Sequence, residues 1–485
     1  LDAFAERPRL GVGIGHSSAI EPLLAREPDL IDVLEIEPQT TWIKSGERYR
    51  ANEEVLRHLL GLPGRKLIHS VASPVGGTVR PEAAQTALLR EIVERFESPW
   101  LSEHLSFNRT PERSTGFFLP PRQTLAGVRV ATASIRDLQA ALPVPVAVET
   151  GVNYLRPRPD ELDDGEFTAR VIEDADCGLL LDLHNLYANE RNGRQPIEAF
   201  LAQLPLERVW EVHLAGGMDQ EGFWLDAHSG GVPAELWAIA ERVIPRLPHL
   251  GAIIFEIFPS FVPLVGLDVV REQLVRLREL WRRRADAAAP AAVPLAPRVS
   301  PRSDAGDPVT PEAWERALGR LTTGQAVDDA IGADLAHERG VRLVEGLIHE
   351  FRGSMIVTVL PLTARLLMLS LGPAAARIVF RDYWAKTPPQ MFASLEAEAF
   401  GRYLDALDLK VPQLPAVLAF ERAVLATLID HEPRVVAFDF EPLPLLRALA
   451  EGRFPDEPGA LGEYEIEVTP EGIGSGHVLE ASLSR

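Results

Sequence analysis

The chain has 485 residues, 46% of them hydrophobic, enough to bury roughly two or three separate cores. Lys and Arg number 49 against 70 acidic residues, and the formal net charge of −21 disfavours a nucleic-acid partner. The single cysteine, Cys177, excludes internal disulfides, iron–sulfur clusters and cysteine-rich zinc sites built from this chain alone.

Short apolar runs alternate with amphipathic segments through the first part of the sequence. The candidate strands are Leu10–Ile14, Leu30–Leu34, Lys66–His69, Trp100–Leu105, Val144–Glu149, Gly178–Asp182, Val209–Leu214 and Ala252–Glu256. Helical patterns lie between most of them, at Glu82–Arg95, Ala131–Ala141, Ile197–Ala202 and Pro233–Ile244, and a last one covers Gly266–Arg284. Strands separated by helices make βα units, and this number of them fits an α/β fold closed as a (β/α)8 TIM-type barrel. The competing open sheet needs a Gly-x-Gly-x-x-Gly loop after its first strand, and GVGIGHSS from Gly11 lacks that spacing. Cys177 precedes the run Gly178–Leu181 and reads as a buried strand-start residue.

Residues 285–308, ADAAAPAAVPLAPRVSPRSDAGDP, have the Ala- and Pro-rich composition of a linker. The barrel is therefore assigned to 1–284 and a second domain to 309–485. That domain opens with Thr310, Pro311 and Glu312, a cap followed by proline in the first turn. Helical spacing continues at Val341–Phe351, Pro361–Ser370, Phe392–Leu407 and Pro415–Ile429. VVAFDF at 435–440 and YEIEVTP at 464–470 read as strands, making the domain a mostly helical α+β unit. The most apolar stretch, Met355–Ala375, contains Pro361 and Arg365 and fits a buried helix pair rather than a bilayer span. No signal peptide pattern opens the sequence, so a cytoplasmic protein without a membrane partner is expected.

The polar residues fall at strand ends. His69 ends KLIH, Glu103 and His104 lie in WLSEHL, and Glu149 ends VAVE. Asp182 ends LLLD with His184 and Asn185 after it, and His213 lies in VWEVHLAGG. Asp226 and His228 follow in LDAH, and Glu256 ends AIIFE. The C-terminal strand ends of a barrel converge on one mouth. Alone, each residue reads as a hydrogen-bonded core histidine or a carboxylate that holds a loop. Together they pose a charge problem, because several carboxylates in one cavity are costly without positive charge. A metal cluster satisfies carboxylate and neutral imidazole at once. Donors of oxygen and nitrogen permit iron, manganese or zinc, and the imidazoles argue against magnesium. More candidates than one ion needs point to two or three ions. His16 and Glu35, just beyond the first two strands, read as supporting or structural groups. Asn153, Tyr154 and the acidic run Asp219–Glu221 lie near the mouth. On these residues a hydrolase, an oxidase, a sugar isomerase and a structural cluster all remain open, although no strand end carries the lysine an isomerase would use.

Residues 10–285 resemble the multinuclear non-haem iron barrel family that includes methanobactin oxidase. The resemblance is carried by SEHLSFNR at 102–109, the histidine of KLIHS at 66–70, CGLLLDLHNLY at 177–187, VWEVHLAGG at 209–217, LDAH at 225–228 and IIFE at 253–256. It implies a xylose-isomerase-like barrel that uses O2 as cosubstrate to oxidise cysteines of a ribosomally made precursor peptide. The cofactor so implied is iron, two or three ions of mixed Fe(II)/Fe(III). His69, Glu103, His104, Glu149, Asp182, His213, Asp226, His228 and Glu256 are the metal ligands it suggests, with His184 and Asn185 as catalytic candidates. Three positions depart from the family pattern. His184 stands at an asparagine position, Thr150 at another, and Gly217 where a second histidine follows HLAG. The second domain resembles the family's separate partner protein, through DYWAKTPPQMFASLEAEAFGRYL at 382–404 and LPAVLAFERAVLATL at 414–428. That resemblance implies a peptide-recruiting domain fused in cis.

Overall fold

The computed structural model describes residues 7–45, 48–286 and 309–474, so most of the expected linker lies outside the described residues. Eight strands form the barrel: Gly11–Gly15 (β1), Val33–Ile36 (β2), Arg65–Ser70 (β3), Leu101–His104 (β4), Val146–Glu149 (β5), Gly178–Asp182 (β6), Val209–Ala215 (β7) and Ala252–Glu256 (β8). Neighbours in sequence pair in parallel, and β8 returns to β1 with Gly11 opposite Ala252, which closes the ring. The expected TIM-type barrel is therefore present.

These strands are runs of Val, Ile, Leu and Ala because barrel strands are buried on both faces. Leu10, Val33, Leu67, Trp100, Ala147, Trp210, Ala252 and Ile254 form one buried apolar cluster. Trp100 and Trp210 lie at the start of β4 and β7 with ring centroids 6.3 Å apart, plugging the lower end. The polar residues stand at the other end. The second strand begins at Val33 rather than Leu30, because Pro28–Leu30 forms a 3-10 turn. That shift takes Glu35 from beyond the strand to a place inside it.

The chain divides into two compact units. The first holds Leu1–Pro111, Phe118–Gly319 and Val327–Leu343, so it takes in most of the helix Pro311–Thr322 as well as the barrel. Within this unit Trp314 is buried, and its indole donates to Pro120 O at 3.1 Å. The Glu315 carboxylate accepts from Thr78 N at 2.9 Å, Arg156 pairs with Glu338 at 3.1 Å, and Arg158 pairs with Asp334.

The second unit holds the helices Pro361–Lys386, Ala393–Asp405 and Leu414–Asp430, followed by Arg434–Phe440 (β9) and Leu461–Val468 (β10), an antiparallel pair. Its core gathers Ile356, Phe380, Tyr383, Phe400, Val417, Leu446 and Ile466. A buried pair, Arg352 Nε to Glu396 Oε1 at 2.6 Å, lies among the helices. Among the described residues one helix, Pro361–Lys386, is long and apolar enough to cross a membrane. It contains Arg365, which donates to Leu449 O and Ala450 O, and it breaks at Gly372, whose φ is 78°.

Candidate metal centre

The strand ends bring the expected residues together around two shared side chains. Glu149 at the top of β5 accepts the approach of two histidines. His104 Nε2 lies 2.9 Å and His69 Nε2 3.3 Å from its Oε2. Its other oxygen takes a hydrogen bond from Asn185 Nδ2 at 3.3 Å, and the same amide donates to Thr150 O at 3.0 Å. His213 is the second hub, with Nδ1 3.1 Å from Glu256 Oε2. Asp182 caps the helix Leu183–Arg191 by accepting from Asn185 N through Oδ1, which leaves Oδ2 facing elsewhere. The loop after β7 adds Asp226, whose Oδ1 lies 2.9 Å from His228 Nε2 and 3.2 Å from His184 Nδ1. His228 Nε2 is in turn 3.5 Å from Glu256 Oε2.

Three groups have ligand atoms within 4.8 Å of one another: His69, His104 and Glu149; Glu149, Asp182 and His213; Glu35, His213 and Glu256. Glu149 and His213 each belong to two groups, so the groups form a chain rather than separate sites. Glu103 does not join it. Its Oε2 accepts from Ser73 N at 3.0 Å and its Oε1 from His104 N at 2.8 Å, with His104 Nδ1 at 3.4 Å, so this carboxylate holds backbone and stands behind the His104 ring. His16 lies apart as well, paired with Glu21 at 3.0 Å.

Charge explains why such a cluster asks for a cation. Burial raises Asp182 and Glu35 well above the carboxylate range, with Glu149 adding to the effect at Asp182. Burial acts on Glu256 in the same direction, but His213 and His228 outweigh it and hold Glu256 low. Burial would also lower every histidine, and it does bring His69 to about 4. At His104 the opposing pull of Glu149 wins, and at His228 that of Asp226 and Glu256 wins, raising His228 to about 10. The imidazoles thus supply by protonation the positive charge that bound cations would supply.

The hydrogen-bond pattern agrees. Glu149 Oε2, Asp182 Oδ2, His184 Nδ1, His213 Nδ1 and Asp226 Oδ1 are all buried without a hydrogen bond. Each such atom costs about 1–3 kcal/mol unless something else binds it. Carboxylate and imidazole donors without thiolate fit iron, manganese or zinc.

Two carboxylates near His213 were not among the expected ligands. Glu35 Oε2 lies 3.1 Å from His213 Nε2, and Glu211 Oε1 lies 3.5 Å from it. A signal for Glu211 existed in the sequence. It precedes His213 by two residues on a strand, so both side chains share the inward face.

A profile of the RiPP precursor modification enzymes MbnB/TglH/ChrH matches residues 10–264, more than half of the chain. The chain belongs to that family. Relatives carry the name UPF0276 protein. One from Chromobacterium violaceum is 35% identical, the match covering 37% of this chain and 65% of the relative. One from Streptomyces avermitilis is 31% identical over 50% of each chain, and one from Anaeromyxobacter sp. is 29% identical over 52% of this chain and 87% of its own. The match thus spans between half and two thirds of the first two relatives. Among solved structures, an IOLI protein with a bound zinc atom has 12% identity and a TM-score of 0.38, covering 56% of this chain and 99% of its own. A xylose isomerase domain protein from Planctomyces limnophilus has 14% identity and a TM-score of 0.39, covering 58% of this chain and 100% of its own.

Proposed function

We propose that the barrel is a multinuclear iron-dependent oxidase or oxygenase that uses O2 to modify cysteine residues of a ribosomally made precursor peptide. One observation carries this reading: the ligand groups His69–His104–Glu149 and Glu149–Asp182–His213 share Glu149, and His213 leads on to Glu256, in a member of a precursor-modifying family. His69, His104, Glu149, Asp182, His213, Asp226, His228 and Glu256 would hold two or three iron ions in mixed Fe(II)/Fe(III). Bound iron would supply O2 activation and accept electrons from the substrate thiol.

The remaining work falls to the chain's own side chains. Asn185 steers Glu149 by donating to Oε1, which leaves Oε2 toward the two histidines. Asp182 is held by the helix it caps, so its free oxygen needs no reorganisation to bind. Phe118 stacks on His104 with ring centroids 4.0 Å apart, and Phe258 lies 4.6 Å from His228, so phenyl rings screen both imidazoles from water. The protein's only thiol plays no part. Burial pushes Cys177 up to about 12, so the reacting cysteine must come with the peptide.

The second unit is the proposed recruiting module, fused in cis, and it raises the effective concentration of peptide at the barrel. Among the described residues β10 pairs only with β9, so its outer edge is open to an extended peptide. The reaction is assigned to the cytoplasm. Anaerobic purification with metal analysis tests the reading. Two or more irons per chain, with O2 uptake on adding a cysteine-containing precursor, support it; zinc or manganese without O2 uptake overturns it.

A further inference from the structure

Behind the ligand histidines lies a buried group of side chains that no role above accounts for. His213 presents its two ring nitrogens to different carboxylates. Nδ1 stands 3.1 Å from Glu256 Oε2 and makes no hydrogen bond. Nε2 stands 3.1 Å from Glu35 Oε2, with Glu211 Oε1 at 3.5 Å. Glu211 is anchored through its other oxygen, which accepts from Trp100 Nε1 at 3.0 Å. Glu35 is 2% exposed, and Glu211, Trp100 and His213 are 0% exposed. None of them can turn to water for an alternative partner.

This arrangement decides which nitrogen is free. Nε2 already has Glu35 Oε2 as its hydrogen-bond partner, whereas Nδ1 has none. A neutral imidazole has only one N–H. Once a cation is held by Nδ1 together with Glu256, that N–H is left at Nε2, where the Glu35 oxygen stands to accept it. Metal-bound histidines characteristically donate their other nitrogen to a carboxylate, which fixes tautomer and ring angle.

We propose that Glu35, supported by Glu211 and its Trp100 anchor, is the positioning residue that makes His213 an Nδ1 ligand of the ion it shares with Glu256. The proposal rests on the metal-binding reading above. It assigns Glu35 to the back of the imidazole and not to the ion itself.

The test uses the full chain, stripped of metal and titrated anaerobically with Co(II), whose visible spectrum reports ligand geometry, and in parallel with Fe(II). Wild type that takes up neither ion would overturn the metal reading and this proposal with it. Given uptake by wild type, Glu35→Gln should reach the same stoichiometry at saturation. It should do so with about 10- to 100-fold weaker affinity at one ion and an altered Co(II) spectrum. Loss of one ion at saturation would make Glu35 a ligand and overturn the proposal. Unchanged affinity and spectrum would overturn it too. If Glu35→Gln does not fold, Glu211→Gln carries the same readout: a shifted Co(II) spectrum supports the relay, and a wild-type spectrum refutes it.

Discussion

Glu103 and His104 are adjacent in β4 but alternate across the strand, and the structure gives them different work. His104 turns to Glu149, whereas both oxygens of Glu103 accept backbone amides. Glu103→Gln should therefore keep the metal content of wild type while costing about 1–3 kcal/mol, because one amide N–H then faces a side-chain NH2. Glu149→Gln should do the reverse. It serves two ligand groups, so metal should be lost with only a modest change in stability. Metal analysis beside urea unfolding separates the two; equal metal loss in both variants would return Glu103 to the ligand set. The strand-end residues were legible because barrel topology makes C-terminal ends converge, whatever the side chains are. Glu35 was not legible as part of the cluster. The apolar run from Leu30 placed its strand too early, although Pro28 and Asp29 are turn-forming residues and Leu30 belongs to the 3-10 turn they open. The neighbours of Glu103 were equally hidden, since backbone amides leave no mark in a sequence.

At the scale of elements, the loop after β7 carries the hairpin of Met218–Gln220 and Phe223–Leu225, preceded by Gly217. A Cβ at Gly217 would lie 2.5 Å from His184 Nε2 and 2.6 Å from Leu225 O, and closer still to the Trp224 indole nitrogen. The His184 ring, which accepts from Trp224 Nε1 at 3.1 Å, thus fills the room a side chain at 217 would need. His184 and the bare backbone at Gly217 fit one another in space. Gly217→Ala should cost about 1–3 kcal/mol by overpacking and displace Trp224, seen as a changed tryptophan emission. A variant with unaltered emission and stability would disprove this fit.

In the second unit, Glu421 accepts from Leu362 N at 2.7 Å and Thr363 N at 2.8 Å, at the start of Pro361–Lys386. Burial pushes it up to about 7, against the pull of those amides. Its folded value then exceeds its unfolded one, so between about pH 4.5 and 7 the folded chain holds a proton that the unfolded chain has released. Stability should fall as pH rises through that window, by about 3 kcal/mol at most, and Glu421→Gln should flatten the slope. Melting curves between pH 5 and 8 check this. The helices and strands themselves were legible from periodicity. Short apolar runs marked all eight barrel strands, the second of them displaced from Leu30–Leu34 to Val33–Ile36, but hairpins between them, such as Met218–Gln220 with Phe223–Leu225, were too short to read.

For the whole molecule, the composition of 285–308 suggests cutting at 309, whereas the packing within the first unit argues for a later cut. Trp314 is 2% exposed and its ring lies 5.1 Å from the guanidinium groups of both Arg122 and Arg158. Glu315 binds Thr78, and Arg156 and Arg158 reach Glu338 and Asp334. A chain ending at 308 uncovers this surface; one ending at 343 keeps it. Losing a buried tryptophan alone costs about 3–5 kcal/mol. In a chain of this size that corresponds to a Tm lower by roughly 4–8 °C. The 1–343 chain should therefore melt several degrees above the 1–308 chain. Both truncations lack β9 and β10, so neither should bind a precursor peptide that the full chain binds. The 1–343 chain should still take up iron if the proposed function holds, because every proposed ligand lies before Ile257. Calorimetry, metal analysis and peptide binding on the two truncations give three separate answers. Equal melting would show that residues 309–343 contribute nothing to the barrel, and undiminished peptide binding by 1–343 would move recruitment from the second unit to the barrel.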